Sequence, residues 1–372
     1  MAYVIVLGAM ALLRFLLPRD TERNRRVFAT LCCFLLVSLA ALRAPTVGRD
    51  TALFLDVFER LDDRPLLDAL GYSNWVEPGF KLLCTLIGFF TDNGQWLTVV
   101  TSVIIHTSVS FFIYKHAKNI YLGFFLYMGM MIYPLYTNTM RQALAVSVLL
   151  FAWGLFKKKR FLWYSLLVLL AASFHVSALL FLFCPILTLI PVNKRTLRVL
   201  LPLTAGLALL GRLLVLPAVR LAGRIFPRYA DYEVTRFLAL YGFFAVFLAV
   251  TAYGIWRLYY RPLTPIEGEA APERGIDVRG FLTLMMLLGV ILAAMMTGFG
   301  QLQRMFNYFE VLYLLWIPLA APPAFFGEKE RHLALPVELI AILLATLAYF
   351  FFLLFFRSAV WYDALPYTFF WQ

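Results

Sequence analysis

The sequence predicts an all-helical protein that is embedded in a membrane over most of its length. Of its 372 residues, 62% are hydrophobic and 15% are charged, whereas soluble domains carry about 45–50% apolar and about 25% charged residues. Short polar segments separate long apolar runs, and about 20 apolar residues are enough for a helix to cross a bilayer. The polar segments stay short and no internal repeat is evident, so we expect a single domain over residues 1–372.

The basic residues set the expected orientation. The net charge is +12, and the cationic side chains cluster in short loops between apolar runs. Such clusters favour the cytoplasmic side, which places loop 18–26 inside and the N-terminus outside. The excess of positive charge is also compatible with an anionic, lipid-linked substrate. We expect no nucleic-acid partner.

The apolar runs predict about twelve membrane spans and one further re-entrant or amphipathic helix. The predicted spans are 3–17, 27–43, 96–114, 119–136, 139–156, two segments within 161–190, 197–217, 236–258, 280–299, 305–326 and 335–356. The run 78–91 is short for a span. If it dips into the membrane and returns, the basic run 157–160 falls inside, so the basic loops favour the re-entrant interpretation.

Two longer polar segments are expected on the extracytoplasmic side, at 44–77 and 218–235. The first is rich in acidic residues, and apolar residues at helical spacing over 51–61 predict an amphipathic helix that lies on the membrane or over a cavity. The tail from Trp361 to Gln372 is aromatic and is also expected outside.

The four cysteines lie inside apolar runs and none has metal-ligand spacing with histidine. They are typical of small buried hydrophobic residues. No nucleotide-binding glycine motif, zinc-peptidase motif or serine–histidine–aspartate pattern is present. We therefore expect no metal and no cofactor.

The strongest local signal lies between the apolar runs 119–135 and 143–156, where Asn138, Arg141 and Gln142 stand close together. An arginine at the mouth of an apolar helix is costly unless it faces protein, water or an anion. A guanidinium offers planar donors that suit a diphosphate, and a helix N-terminus also favours anions. Snorkelling of Arg141 to the interface is the alternative, but it does not explain the neighbouring amides.

Three residues are candidates for proton transfer: Asp50, Glu77 and His175. Asp50 follows Gly48 and Arg49, and it is equally a candidate helix cap. Glu77 precedes Pro78 and favours a helix dipole, yet a partly desolvated carboxylate also accepts protons. His175 breaks an apolar run and is either structural or functional. The sequence leaves open which of the three is the base.

Further candidates for substrate binding fall on the same predicted outer side. Arg43 and Arg49 flank the loop before Asp50, and Arg304 with Tyr308 repeats the arrangement of an arginine at a helix mouth. Tyr229 and Tyr232 offer aromatic rings for sugars, although packing at the lipid interface is the alternative.

Together these motifs resemble the EpsG family of exopolysaccharide polymerases, which is related to the Wzy-type O-antigen polymerases. They run in the family's order over most of the chain. Two positions depart from the family, which often has Tyr where Phe54 stands and Lys or Arg where Val176 stands. The resemblance rests on Arg43, Gly48-Arg49-Asp50-Thr51, Phe54, Phe58, Glu77-Pro78-Gly79-Phe80, Asn138 to Ala145, Phe174-His175-Val176-Ser177-Ala178-Leu179, Arg304 and Tyr308-Phe309.

The resemblance implies a GT-C-like glycosyltransferase in the cytoplasmic membrane of a bacterium, with its active site facing outward. Its substrates would be oligosaccharide repeat units on undecaprenyl diphosphate, in contact with membrane lipid, and a chain-length regulator protein is a further implied partner. A hydroxyl of the acceptor would displace lipid diphosphate with inversion, and the arginines would stabilise the charge on that leaving group.

Other functions share these features. A flippase or transporter of lipid-linked oligosaccharide also needs cations that face anionic lipid, although charged residues at mid-membrane and repeat symmetry are then expected. A membrane acyltransferase would require more than His175. A glycan ligase uses the same diphosphate chemistry on another acceptor, so the sequence barely separates it from a polymerase.

Overall fold

The computed structural model describes residues 1–61, 63–72, 76–225, 238–262, 275–322, 325–326, 333–334, 336–357 and 363–372. The chain forms two compact units. The first unit contains Met1–Phe156, Arg160–Leu182 and Pro322–Gln372, and the second contains Lys157–Lys159 and Phe183–Ala321. The sequence predicts one domain over residues 1–372, and that assignment stays a prediction.

The described residues are almost entirely helical. Up to residue 183 the helices are α1 (Ala2–Leu16), α2 (Glu22–Ala41), α3 (Thr51–Glu59), α4 (Leu66–Gly71), α5 (Pro78–Gly88), α6 (Gln95–His116), α7 (Ile120–Gly129), α8 (Ile132–Asn138), α9 (Met140–Lys157), α10 (Phe161–Phe174) and a 3-10 helix, Val176–Phe183. The predicted amphipathic helix is present as α3, which buries Thr51, Phe54, Val57 and Phe58 on one face. The predicted break at His175 is also present, since α10 ends at the preceding residue.

The second unit and the end of the chain complete the fold. The later helices are α11 (Cys184–Leu187), α12 (Lys194–Ile225), α13 (Leu238–Ile255), followed by a π-helix (Trp256–Tyr260), then α14 (Val278–Met296), a 3-10 turn (Gly300–Leu302), α15 (Gln303–Glu310), α16 (Tyr313–Ala320) and α17 (Val337–Phe356). Two short strands, Phe325–Phe326 and Leu333–Ala334, pair antiparallel in the first unit.

The helices support a multi-pass membrane protein. Among the described residues, seven helices are long and apolar enough to cross a bilayer, and there are eight if the pair α7 and α8, bent by 58°, counts as one span. Four shorter apolar helices, of 10–17 residues, are also present. The length and composition of these helices thus confirm an all-helical membrane fold. The number of about twelve spans stays a prediction.

Helices α2 and α6 are antiparallel and define two ends of the first unit. At one end, the Tyr121 hydroxyl donates to Asp20 at 3.2 Å and the Arg14 guanidinium lies 3.9 Å from the centre of the Tyr121 ring. At the other end, the Gln95 amide donates to the carbonyl oxygen of Ala41 at 2.6 Å. Twenty helical residues separate these ends of α2, which is about 30 Å. Loops 18–26 and 115–118 therefore share one end, as their common basic character predicts.

Helix α5 starts and finishes in a way that fits the re-entrant interpretation. Its 11 residues rise about 16 Å, roughly half of a bilayer core of about 30 Å. A Cβ added to Gly94, just after it, would lie 3.1 Å from Leu55 of α3. Because Gln95 contacts Ala41, the chain returns to the end of the first unit that carries α3.

Two predicted segments differ from the helices of the structure. The segment 218–235 was predicted as a loop, but α12 continues to Ile225, with Pro202 and Pro217 inside the helix. A proline removes one hydrogen bond, and the apolar run 213–219 around Pro217 supplies no stop signal. The predicted span 305–326 is divided into α15 and α16. At the junction, the backbone N–H groups of Leu314 and Leu315 donate to the carbonyl oxygens three residues earlier, those of Val311 and Leu312.

A candidate anion-binding site at one end of the first unit

Arg141 is the centre of a group of side chains from distant segments. It lies in the first turn of α9 and pairs with Glu77, which immediately precedes α5. Both side chains are largely buried, with 12% and 18% of their surfaces exposed. The guanidinium also lies 5.6 Å from the centre of the Phe54 ring, within the range of a cation–π contact. Arg141 is therefore held in a defined position.

Asn138 connects this arginine to the loop before α3. Its side-chain oxygen accepts a hydrogen bond from the backbone N–H of Asp50 at 2.9 Å. The loop reaches that position through Gly48, whose φ of +94° lies in a region that glycine adopts without a steric penalty. The Asp50 side chain makes no capping hydrogen bond to α3. A capping role for the Asp50 carboxylate is thus unsupported, and the backbone of Asp50 is joined to the predicted site through Asn138.

Arg43 lies behind the group and positions it. Only 1% of its surface is exposed. The guanidinium donates to the carbonyl oxygen of Thr137 at 3.1 Å and to the Ser102 hydroxyl at 3.2 Å. It thereby fixes the turn between α8 and α9, from which Asn138 and Arg141 project. Substrate binding by Arg43 stays a prediction, and its burial and hydrogen bonds are those of a residue that supports the group.

His175 completes the group. Its Nδ1 atom lies 2.6 Å from the Ser177 hydroxyl, and the next backbone N–H, of Val176, points at Glu77 Oε1 over 3.4 Å. Helix α10 reaches this position because α5 has a glycine where the two helices meet. A Cβ on Gly79 would lie 2.4 Å from the side-chain oxygen of Ser173.

The structure brings Asp50, Glu77, Asn138, Arg141 and His175 to one end of the first unit, as their predicted common side requires. The remaining candidates are placed differently. Arg49 is exposed on the loop beside Asp50, and Gln142 is buried. In the second unit, Arg304 is exposed in the first turn of α15 and Tyr308 is buried. Tyr229 and Tyr232 lie outside the described residues.

The chemistry of the group is that of a guanidinium beside carboxylate, amide and imidazole groups. A guanidinium has five N–H donors in a fixed plane, a geometry that suits the oxygens of a carboxylate, a phosphate or a diphosphate. Within the described residues, no group of three or more His, Cys, Asp or Glu side chains is placed to hold a metal ion.

The family model of the EpsG family matches residues 26–369, nearly the whole chain. The chain belongs to the EpsG family. The match contains every residue of the group around Arg141. Neither the curated proteins nor the solved structures gave a match.

Two features of this EpsG-family protein escaped the sequence analysis. The C-terminal segment 363–372 folds back onto the Arg43 loop, where the N–H of Ala44 donates to the carbonyl oxygen of Thr368 and the N–H of Gly48 to that of Asp363, each at 3.0 Å. The aromatic character of the tail gave no sign of this pairing. Phe54, where the family often has Tyr, is buried beneath Arg141, so that difference concerns the support of the arginine.

Proposed function

We propose that this EpsG-family protein is a polysaccharide polymerase, a glycosyltransferase that joins oligosaccharide repeat units carried on undecaprenyl diphosphate. It acts at the extracytoplasmic side of the bacterial cytoplasmic membrane. The observation that carries the proposal is the group around Arg141, a positioned cation with proton-accepting neighbours at one end of an apolar bundle. Family membership points to the same function.

The leaving group of the proposed reaction is stabilised by a cation and does not need to be protonated by an acid. A hydroxyl of the acceptor unit attacks the anomeric carbon of the donor, a new C–O bond forms, and the bond from that carbon to the diphosphate oxygen breaks. The lipid diphosphate leaves with its charge, and the hydroxyl proton passes to a base. Arg141 stabilises the negative charge that develops on the diphosphate. Such electrostatic stabilisation of the transition state is usually the largest contribution to the rate enhancement.

We propose different roles for the three acidic or basic candidates. The Glu77 carboxylate binds Arg141 and faces the N–H of Val176, so we assign it to positioning the arginine. Asp50 and His175 then remain as proton acceptors. A single displacement by either route inverts the anomeric carbon.

We also propose that the chain crosses the membrane about twelve times in a GT-C-like arrangement. The seven long helices and the bent pair supply eight spans. Four further segments complete the number: α1, α10, the run Val176–Leu187, and α15 with α16. Helix α5 is the re-entrant element. A chain-length regulator protein is a proposed partner.

Extension of a lipid-linked repeat unit by the full-length protein in proteoliposomes tests this function. A ladder of products on a gel indicates polymerisation, one addition indicates a ligase, and no new bond indicates a flippase. Arg141→Ala should abolish the ladder. Arg60→Ala is the matched control, because Arg60 pairs with Asp56 at 2.9 Å but both side chains are more than half exposed. A full ladder from Arg141→Ala refutes the assignment.

A further inference from the structure

A second arginine interrupts an apolar helix in the second unit. Arg212 lies in α12, whose residues 194–221 form one of the long apolar segments. It stands 18 residues after Lys194, a rise of about 27 Å, close to the thickness of a hydrocarbon core of about 30 Å. Arg212 is therefore expected near the headgroup level of the leaflet opposite to the one where α12 begins.

The position of Arg212 is fixed by its neighbours. Its Nε donates to the Thr297 hydroxyl at 2.9 Å and its Nη2 to the Tyr241 hydroxyl at 2.5 Å. The guanidinium also lies 5.6 Å from the centre of the Tyr241 ring. The backbone is equally close-packed, since a Cβ on Gly298 would lie 3.1 Å from the carbonyl oxygen of Arg212.

All of these partners are neutral. Among the residues that the structure describes, no Asp or Glu side chain lies within ion-pair distance of Arg212. At the headgroup level, basic pockets between membrane helices bind the anionic headgroups of lipids. The side chains of Leu209, Leu213 and Leu214, which flank Arg212 on α12, are exposed. The Arg212 side chain can therefore be reached by a lipid headgroup.

We propose that Arg212, Tyr241 and Thr297 form a binding site for the phosphate or diphosphate headgroup of a lipid. Arg212 supplies charge and planar donors, and the Tyr241 hydroxyl adds a polar group at the same depth. The headgroup supplies the negative charge that the described part of the protein does not. This site does not depend on the polymerase assignment, because it concerns lipid binding by the second unit alone.

Lipid binding by the full-length protein in phosphatidylcholine nanodiscs tests the site. Phosphatidylglycerol and undecaprenyl diphosphate are titrated separately, and retained lipid is measured by native mass spectrometry. Arg212→Gln should weaken binding of at least one of these lipids by about tenfold or more, because it removes the charge that pairs with the phosphate. Arg220→Gln, an exposed arginine on the same helix, should leave both affinities unchanged.

The two lipids separate the possible sources of the headgroup. Selective loss of undecaprenyl diphosphate binding identifies the substrate class, and equal loss of both identifies a general lipid phosphate. Equal affinities of Arg212→Gln and Arg220→Gln for both lipids overturn the proposal.

A wild-type measurement covers the case in which Arg212→Gln does not fold. Photoreactive versions of both lipids should label peptides that contain residues 209–214 or Tyr241. Labelling that avoids those peptides overturns the proposal.

Discussion

The pair between Arg141 and Glu77 makes a quantitative prediction about stability. Removing one partner of a buried ion pair costs about 3–5 kcal/mol, whereas exposed pairs contribute about 0.2–1 kcal/mol. With 12% and 18% of the two side chains exposed, the pair lies near the buried limit. We expect Arg141→Gln or Glu77→Gln to lower the free energy of unfolding by about 2–3 kcal/mol.

A double-mutant cycle measures the interaction itself. The four proteins are wild type, each single Gln variant and the double variant, and their free energies of unfolding are measured in mixed micelles of detergent and SDS. We expect a coupling energy of about 1.5 kcal/mol or more, since residues in one ion pair do not behave additively. Arg60 and Asp56, exposed by 57% and 51%, provide the matched cycle, with an expected coupling below about 0.5 kcal/mol. Equal coupling energies in the two cycles would refute the view that Glu77 holds the arginine.

Three further predictions concern the backbone around the site. Gly48→Ala forces an L side chain into φ +94° and places its Cβ 2.7 Å from a side-chain oxygen, so unfolding free energy should fall by about 1–3 kcal/mol; an unchanged value would contradict the geometry. Gly79→Ala brings a Cβ to 2.4 Å from Ser173 and should cost about 1–3 kcal/mol, whereas Gly8→Ala, with open space around it, should cost nothing. Deletion of residues 363–372 should speed hydrogen exchange at the N–H groups of Ala44 and Gly48 by mass spectrometry, and unaltered exchange would show that the segment does not hold the loop.

Local patterns predicted the helical fold and most of its boundaries. The apolar runs correspond to the long helices because a lipid environment requires the backbone to satisfy its own hydrogen bonds. The helix α3 follows from the spacing of Phe54, Val57 and Phe58. The break at His175 was visible because polar residues interrupt an apolar run.

Long-range packing was harder to predict. Nothing in the local sequence separates a buried arginine that holds a turn, such as Arg43, from one that pairs with a carboxylate in the candidate site, such as Arg141. Both stand at the end of an apolar run, and the difference arises from Ser102 and Thr137, which belong to other segments. Arg212 was not among the predicted site residues, because it lies inside the predicted span 197–217 and a single charge does not interrupt so long an apolar run.

The pairing of the C-terminal segment with the Arg43 loop could not be predicted for a related reason. Such pairing is made by backbone groups, as between Phe370 and Leu42, so the side chains carry little information about it. The Tyr367 hydroxyl adds a bond of 2.5 Å to the carbonyl oxygen of Leu39. Burial raises the pKa of Tyr367 to about 12.

We propose that Arg141 receives the lipid diphosphate. An electron cryomicroscopy structure of the full-length protein with undecaprenyl diphosphate tests it most directly. We expect diphosphate oxygens within hydrogen-bond distance of the Arg141 guanidinium, with Glu77 against the far side of that group and His175 nearby. A diphosphate bound away from Arg141, with Arg141 in contact with protein groups only, would contradict it.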